Sequence, residues 1–366
     1  MTLDRFAGLL GRAAPTAFAS TAFASTAFAP AAFVTAALAA GLAGAAQAET
    51  YTIQTSFNAG DFSTQHLSET WLPKIAEMTD GRVEIAFTPN GSVVPAKETP
   101  EAVAYGVLDG DFTSVNYFSG REPAFALLGD LISGYDTPRQ MLGFCKDGVG
   151  EKMMQKAADE LTDGEVKVIA CGPYSREALA ARTPIRTFED LQGMKIRSPE
   201  GLAAAVFAAA GASPVSIPFS EVYGALEKGI VDAADASAYV NNDATGLNDV
   251  APYPLYPGIH SMAAMQFTMT RSKWDALSPE DQTALRDWWY MAMEDLTRVV
   301  HEEDEKLAER DRQGDRIEVI DWAQEDRDKL REVARAEWES YAEKSELAGE
   351  VLQAHLDYMK SIGLLK

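Results

Sequence analysis

Positive charge is scarce in this 366-residue chain: 32 lysines and arginines face 55 aspartates and glutamates, a formal net charge of −23. Such a surface repels phosphate backbones and anionic lipid, which argues against nucleic acid and acidic membrane surfaces as partners. An acidic small molecule stays admissible, because one arginine at contact distance outweighs a diffuse field. Histidine is nearly missing, with four scattered residues at 66, 260, 301 and 355, and no Cys/His set has zinc spacing. There are only two cysteines, Cys145 and Cys171. In an oxidising compartment they are either a disulfide or two buried thiols, and closing that loop contributes about 3 kcal/mol. Beyond the first 48 residues no apolar run approaches the roughly 20 residues of a membrane span. Enzyme signatures are missing too: there is no G-x-S-x-G, no P-loop, no H-E-x-x-H and no dinucleotide fingerprint. A non-enzyme is therefore expected, with a periplasmic enzyme acting on a small carboxylic acid as the alternative.

What is present begins with a leader. Arg5 and Arg12 give a basic start, residues 13–45 an alanine-rich run, and Ala46-Gln47-Ala48 a small-x-small site. The pentapeptide TAFAS stands at 16–20 and again at 21–25, and returns as TAFAP at 26–30. Residues 1–48 therefore read as a signal peptide cleaved after Ala48, with a retained anchor as the rival reading. The mature protein is then exported, to the periplasm of a Gram-negative host. A hydrophobic content of 46% suffices for the cores of two ordinary domains.

Strands are expected at 51–57, 83–88, 111–116 and 166–170, with helices over 64–78, 99–110 and most of 137–161. Thr99 reads as a cap, with Pro100 at the first helical position. Residues 262–271 read as a strand returning to the first lobe. Ser278-Pro279-Glu280-Asp281 starts a helix running to about Arg312. A short strand at 316–322 and a long helical stretch at 326–362 follow. The acidic runs at 301–306 and 309–311 read as a solvated helix face rather than a metal cluster, and Trp288 and Trp289 as packing residues. The fold class is thus α/β: two lobes, each an open and mostly parallel sheet, joined by a hinge and followed by long C-terminal helices. The expected boundaries are 49–172 for lobe I, with 262–322 returning to it, 173–261 for lobe II, and 323–366 for a C-terminal helical extension.

The chain is organised around residues 187–235. Thr187 caps a short helix with Asp190 at its third position, and 194–197 is a strand. A helix over 201–210, a strand over 215–218, a helix over 221–228 capped by Ser220, and a strand over 230–235 complete a βαβαβ unit. Arg197 closes the first of these strands, and ligands of open α/β sheets gather at such strand ends. The runs TFEDLQGMKIR at 187–197 and GASPVSIPFSEVYGALEKGIVDAAD at 211–235 resemble the substrate-binding proteins of TRAP transporters, the DctP-like family. Pro89-Asn90-Gly91-Ser92 adds to that resemblance, and the run YFSGREPAF at 117–125 resembles the branch that binds 2-oxo acids, lactate-like acids, mannitol or chlorobenzoates. The resemblance covers 51–274 well and the C-terminal helices loosely.

The resemblance implies a receptor that holds a small organic acid in a cleft between lobes and hands it to TRAP membrane permease subunits. It places the carboxylate-clamping arginine at Arg197, whose planar fork donates two parallel bonds. The competing reading of Arg197 is an ion pair with Glu200 or Glu189. Arg176 stands where the branch has glutamine; it either adds positive charge to the cleft or pairs with Asp235 or Glu177. Asp235 stands where the branch has a glutamate that helps hold a sodium or calcium ion bridging to the ligand. Ala236 replaces the neighbouring tryptophan, which puts that ion in doubt and opens the pocket to a ligand bulkier than pyruvate. Ser237, Tyr239, Asn241 and Asn242 on the following loop, with His260 at its far end, offer neutral polar groups. From the first lobe, Asn58, Asn116 and Tyr117 stand at expected strand ends, with Phe57 and Phe62 as apolar walls. In the branch a C-terminal helix is exchanged between protomers. The apolar face of Leu347, Val351, Leu352, Leu356 and Met359 therefore suggests a homodimer.

Overall fold

The computed structural model describes residues 48–259 and 261–365. The leader, with its expected cleavage, lies outside them apart from Ala48, and so does His260. Nine strands form two sheets. β1 (Glu49–Thr55), β2 (Val83–Thr88), β3 (Gly110–Ser114), β4 (Val166–Pro173) and β9 (Ala264–Thr270) make the first, in the order β2-β1-β3-β9-β4. β5 (Ala178–Ala181), β6 (Lys195–Arg197), β7 (Ser213–Val215) and β8 (Ala233–Ser237) make the second, in the order β5-β8-β6-β7. Helices cover both, and the class is α/β with no closed barrel. The sheets are mixed. β9 runs antiparallel to both β3 and β4, and β5 antiparallel to β8, while the other ladders are parallel.

The chain leaves the first sheet after Pro173 and returns to its middle with β9. β9 is buried along its whole length. Two of its polar residues share one carboxylate: Asp111 accepts from Thr268 Oγ1 at 2.6 Å and from Gln266 Nε2 at 3.0 Å, while Thr270 Oγ1 donates to the Val103 carbonyl at 2.9 Å. Thr99, expected as a helix cap, donates to the same carboxylate at 2.6 Å. Its helix, Thr99–Ala104, is shorter than the expected 99–110. Helices Pro138–Lys146 and Gly150–Thr162 pack on β4, and the Cys145–Cys171 disulfide ties the first of them to that strand.

Ser278 caps the 34-residue helix Pro279–Arg312 through its side chain, as the sequence predicts. Trp288 and Trp289 are buried packing residues, and the Trp289 ring meets Phe112 of β3 edge-on at 6.0 Å. The acidic runs of this helix are not wholly solvated. Asp304 and Asp311 lie on its buried stripe with Val300 and Ala308. Asp304 accepts from Val240 N–H and Asp311 from the Tyr239 hydroxyl, each at 2.7 Å.

Several boundaries differ from expectation. The strand expected at 215–218 sits at Ser213–Val215, because Pro218 supplies no ladder donor and begins a turn. Ser220 caps nothing; it lies inside that turn. Residues 316–322 form only an isolated bridge at Ile320. The stretch 326–362 is two helices, Gln324–Ala342 and Glu346–Ser361, the second capped by Ser345. Its apolar residues Leu347, Val351, Leu352 and Met359 are buried within their own chain. They pack against helices Ala124–Gly129, Gly150–Thr162 and Gln324–Ala342. Within the single chain this face is covered. Among the described residues no helix is long and apolar enough to cross a membrane.

Candidate functional site

A cleft opens between the carboxyl ends of the two sheets. β6 is only three residues long, and its parallel neighbours β7 and β8 leave its last residue, Arg197, at the sheet's edge. The arginine is 2% exposed. Its Nε donates to the Ile217 carbonyl at 3.0 Å and its Nη1 to the Asp235 carbonyl at 2.7 Å. Nη2 is buried and has no partner. The face of Phe219 supports the guanidinium, with its ring centroid 5.6 Å from Cζ. The competing ion pairs do not form: Glu189 is held by Lys329 at 2.8 Å, and Glu200 accepts from Ser216 at 3.4 Å. A buried guanidinium with one unpartnered nitrogen in a cleft can receive a carboxylate oxygen, since leaving that donor unpaired is costly.

Opposite stand residues of the first sheet. Asn116 and Tyr117 follow β3, while Ser56 and Phe57 follow β1. Asn116 fits only because position 129 is glycine; a Cβ there would collide with the Asn116 side chain. Burial pushes the Tyr117 phenol up, and the Arg197 guanidinium pulls the other way. Tyr174 and Glu177, on the segment between β4 and β5, form the back wall. The Tyr174 hydroxyl lies 2.8 Å from Ser237 Oγ and 3.2 Å from Glu177 Oε1.

The cleft wall is unusually acidic for an anion site. Burial holds the Glu177 carboxyl well above its usual range, and the neighbouring charges of Asp235 and Asp130 add to this. Burial likewise pushes Asp235 up to about 6, against the pull of Arg197. Asp130, behind them, rises to about 7 by burial, although it accepts from Ser261 Oγ at 2.6 Å. Ser261 also lies 3.1 Å from Glu177 Oε2.

Two contacts bridge the sheets beside the cleft. Ser63 N–H donates to Asn241 Oδ1 at 3.1 Å, and Asn241 Nδ2 donates to Ser63 Oγ at 3.0 Å. Ser119 Oγ donates to the Glu200 carbonyl at 2.9 Å. Gly201 takes φ +108° there, and a Cβ would lie 2.6 Å from Ser119 Oγ.

Of the residues expected from sequence, the structure brings together Arg197, Asp235, Ser237, Asn116 and Tyr117, with Phe57 as an apolar wall. It sets others apart. Arg176 lines a different cavity and pairs with neither Asp235 nor Glu177. Asn58 does not line the cleft; its N–H donates to Asp61 at 2.9 Å. Phe62 stacks on His66 instead. Asn241 stands behind the wall, donating to Ser237 Oγ at 3.1 Å. Tyr239–Ala244 is a helix rather than a loop, so Tyr239 and Asn242 are buried and bonded within the fold. Sequence reading missed Tyr174, Glu177 and Phe219. The signal was the neighbour of a chosen residue: the segment bends at 174–175, so Glu177 faces the cleft and Arg176 beside it does not.

Comparison with known proteins agrees with this geometry. The family model described as bacterial extracellular solute-binding protein, family 7, matches residues 54–345. A TRAP periplasmic solute-binding protein of Rhodobacter sphaeroides, solved in an apo open form, is 40% identical. That similarity covers 86% of this chain and 99% of the other, with a TM-score of 0.69. The 2,3-diketo-L-gulonate-binding periplasmic protein of Escherichia coli is 29% identical over 269 residues, 72% of this chain and 78% of that protein. A monocarboxylate 2-oxoacid-binding periplasmic protein of Nostoc is 30% identical over 196 residues, 52% of this chain, so the match spans about half (51%) of that relative's length. The TRAP protein of Colwellia psychrerythraea, solved with calcium and pyruvate, shares the fold at a TM-score of 0.74 and 19% identity, over 87% of this chain and 96% of that one. The chain belongs to family 7 of the bacterial extracellular solute-binding proteins.

Proposed function

We propose that this protein is the periplasmic receptor of a TRAP-type secondary transporter. It captures a small organic acid between its two sheets and delivers it to membrane permease subunits. The observation that carries this reading is the buried, unpartnered Nη2 of Arg197 in the cleft. Relatives that bind 2-oxo acids and a diketo sugar acid support the ligand class. The segments that leave β4 and re-enter β9 are the hinge, and ligand contacts to both sheets favour the closed form. Ala236 leaves open the space of a large side chain, and Tyr174, Glu177 and Ser237 offer hydroxyl and carboxyl groups. A hydroxylated or otherwise bulkier acid than pyruvate fits this wall best.

A bridging cation is the finer part of the reading. Solved TRAP proteins hold calcium or sodium beside pyruvate. Among the described residues no three acidic, histidine or cysteine side chains are placed to hold a metal. Glu177 and Asp235 are the two that would contribute, so the ligand's own oxygens would have to complete the set. Bound there, a cation would offset the burial cost of their charges.

The receptor reading requires binding without turnover. Native mass spectrometry of freshly purified protein, followed by a thermal-shift screen of organic acids with and without calcium or sodium, tests it. A receptor gains about 2.7 kcal/mol of stability at a hundred times its dissociation constant. Stoichiometric binding with the acid recovered unchanged is expected, and conversion of the bound acid would overturn the reading. A homodimer through the C-terminal helix is the finer part of the partner reading: a dimeric mass in light scattering is expected, and a monomeric mass at micromolar concentration would remove it.

A further inference from the structure

The four residues between β4 and β5 have two faces. Tyr174 and Glu177 line the cleft, whereas Ser175 and Arg176 line a second cavity of about 430 Å³. No residue lines both. The remaining walls come from the start of helix Pro138–Lys146 and from one side of Pro279–Arg312.

The chemistry of this cavity is that of an anion site with an apolar wall. Arg176 Nη2 donates to the neutral carbonyl of Asp136 at 2.6 Å, and its Nε is buried without a partner. Burial pulls its pKa down, but a guanidinium stays charged at any physiological pH. Other charges act on it: the carboxylates of Asp136 and Glu305 favour its charged form and the Arg327 guanidinium opposes it, while Asp136 is bonded to Arg331 at 2.9 Å and Glu305 accepts from the Tyr256 hydroxyl at 2.9 Å. Glu294 is engaged by Lys146 at 2.9 Å, and Arg298 by Asp295 at 2.6 Å and Glu302 at 2.9 Å. Asp304 is buried, and burial pushes it up to about 8, so its carboxyl is largely neutral at pH 7. Leu142 and Tyr256 supply apolar surface. A positive fork with a free edge, in a protein of net charge −23, thus faces a largely apolar cavity.

We propose that this cavity is a second binding site, for a small organic anion with an apolar body, whose carboxylate or sulfonate is held by Arg176. It does not depend on the identity of the ligand in the cleft.

The test uses 2-naphthoate as probe, titrated by calorimetry into the full mature protein and three variants. Arg197→Met disables the cleft, Arg176→Gln removes the fork but keeps a donor for the Asp136 carbonyl, and Leu142→Trp fills the second cavity. Saturable binding is expected to persist in Arg197→Met and to weaken at least about tenfold in each of the other two. Binding that survives both Arg176→Gln and Leu142→Trp overturns the proposal. So does binding lost in Arg197→Met alone, and so does no saturable binding at millimolar probe. The cleft is scored separately: the co-purified acid should remain in Arg176→Gln and vanish in Arg197→Met. Should either cavity variant fail to fold, the other decides.

Discussion

Arg197 Nη1 donates to the main-chain carbonyl of Asp235 at 2.7 Å, joining the ends of β6 and β8. With Nε held by the Ile217 carbonyl, two positions of the fork are fixed by backbone and only Nη2 is left over. The sheet itself therefore aims the donor, before any ligand arrives. Arg197→Met keeps the length of the side chain and removes the charge. Affinity for the native acid is expected to fall by about 3 kcal/mol, roughly two orders of magnitude. Calorimetry measures the loss, and circular dichroism checks that the fold survives.

Ser63 and Asn241 meet across the cleft without lining it, so their bonds act on closure rather than on ligand contact. Ser63→Ala removes the hydroxyl and leaves the backbone bond. The lost hydrogen bond is worth about 1 kcal/mol, and ligand affinity should fall about fivefold. Small-angle scattering of the liganded variant should show a larger open fraction.

Buried carboxyls make stability depend on pH. Burial raises Asp61 to about 7 and Asp304 to about 8, against an ordinary 3.8. A raised acid binds its proton more tightly when folded, so its contribution is full at low pH and is lost between about 4 and 8 as pH rises. Asp295 acts in the opposite sense: its pKa is lowered to about 2, so its contribution is lost as pH falls below about 4. The ligand-free protein should therefore melt at a higher temperature at pH 5 than at pH 8. Asp304→Asn keeps an acceptor for Val240 N–H and should narrow that difference, as scanning calorimetry at both pH values would show.

The Cys145–Cys171 bridge closes a 26-residue separation between a helix and β4. Replacing both by alanine should cost about 3 kcal/mol in denaturant unfolding, by loop entropy. Ligand affinity should stay unchanged, because neither cysteine lines the cleft.

Much of the fold was legible because its signals are local. The Thr187 turn reads from spacing, and its N–H meets Asp190 at 3.0 Å as expected. The Ser278 start of the long helix reads the same way. Arg197 was legible because a strand end and a family motif coincide there. What failed depends on tertiary contacts. Asp304 and Asp311 look solvated in a charged run, but a second helix supplies donors that make burial tolerable. β5, Ala178–Ala181, is a four-residue alanine-rich strand with no alternation to reveal it. The faces of the side chains on the bent segment 174–177 are set by that bend, which spacing does not reveal, so the sequence points to Arg176 for the cleft and not to Glu177. The apolar face of the last helix was legible as such, but not the partner that covers it.

The central claim concerns one nitrogen. A crystal structure of the receptor with its native acid measures it directly. The expected result is a ligand carboxylate oxygen within about 3 Å of Arg197 Nη2, with Tyr117 and Asn116 closing from the other sheet. A ligand whose acid group is held elsewhere, with Nη2 still unpartnered, would contradict the account.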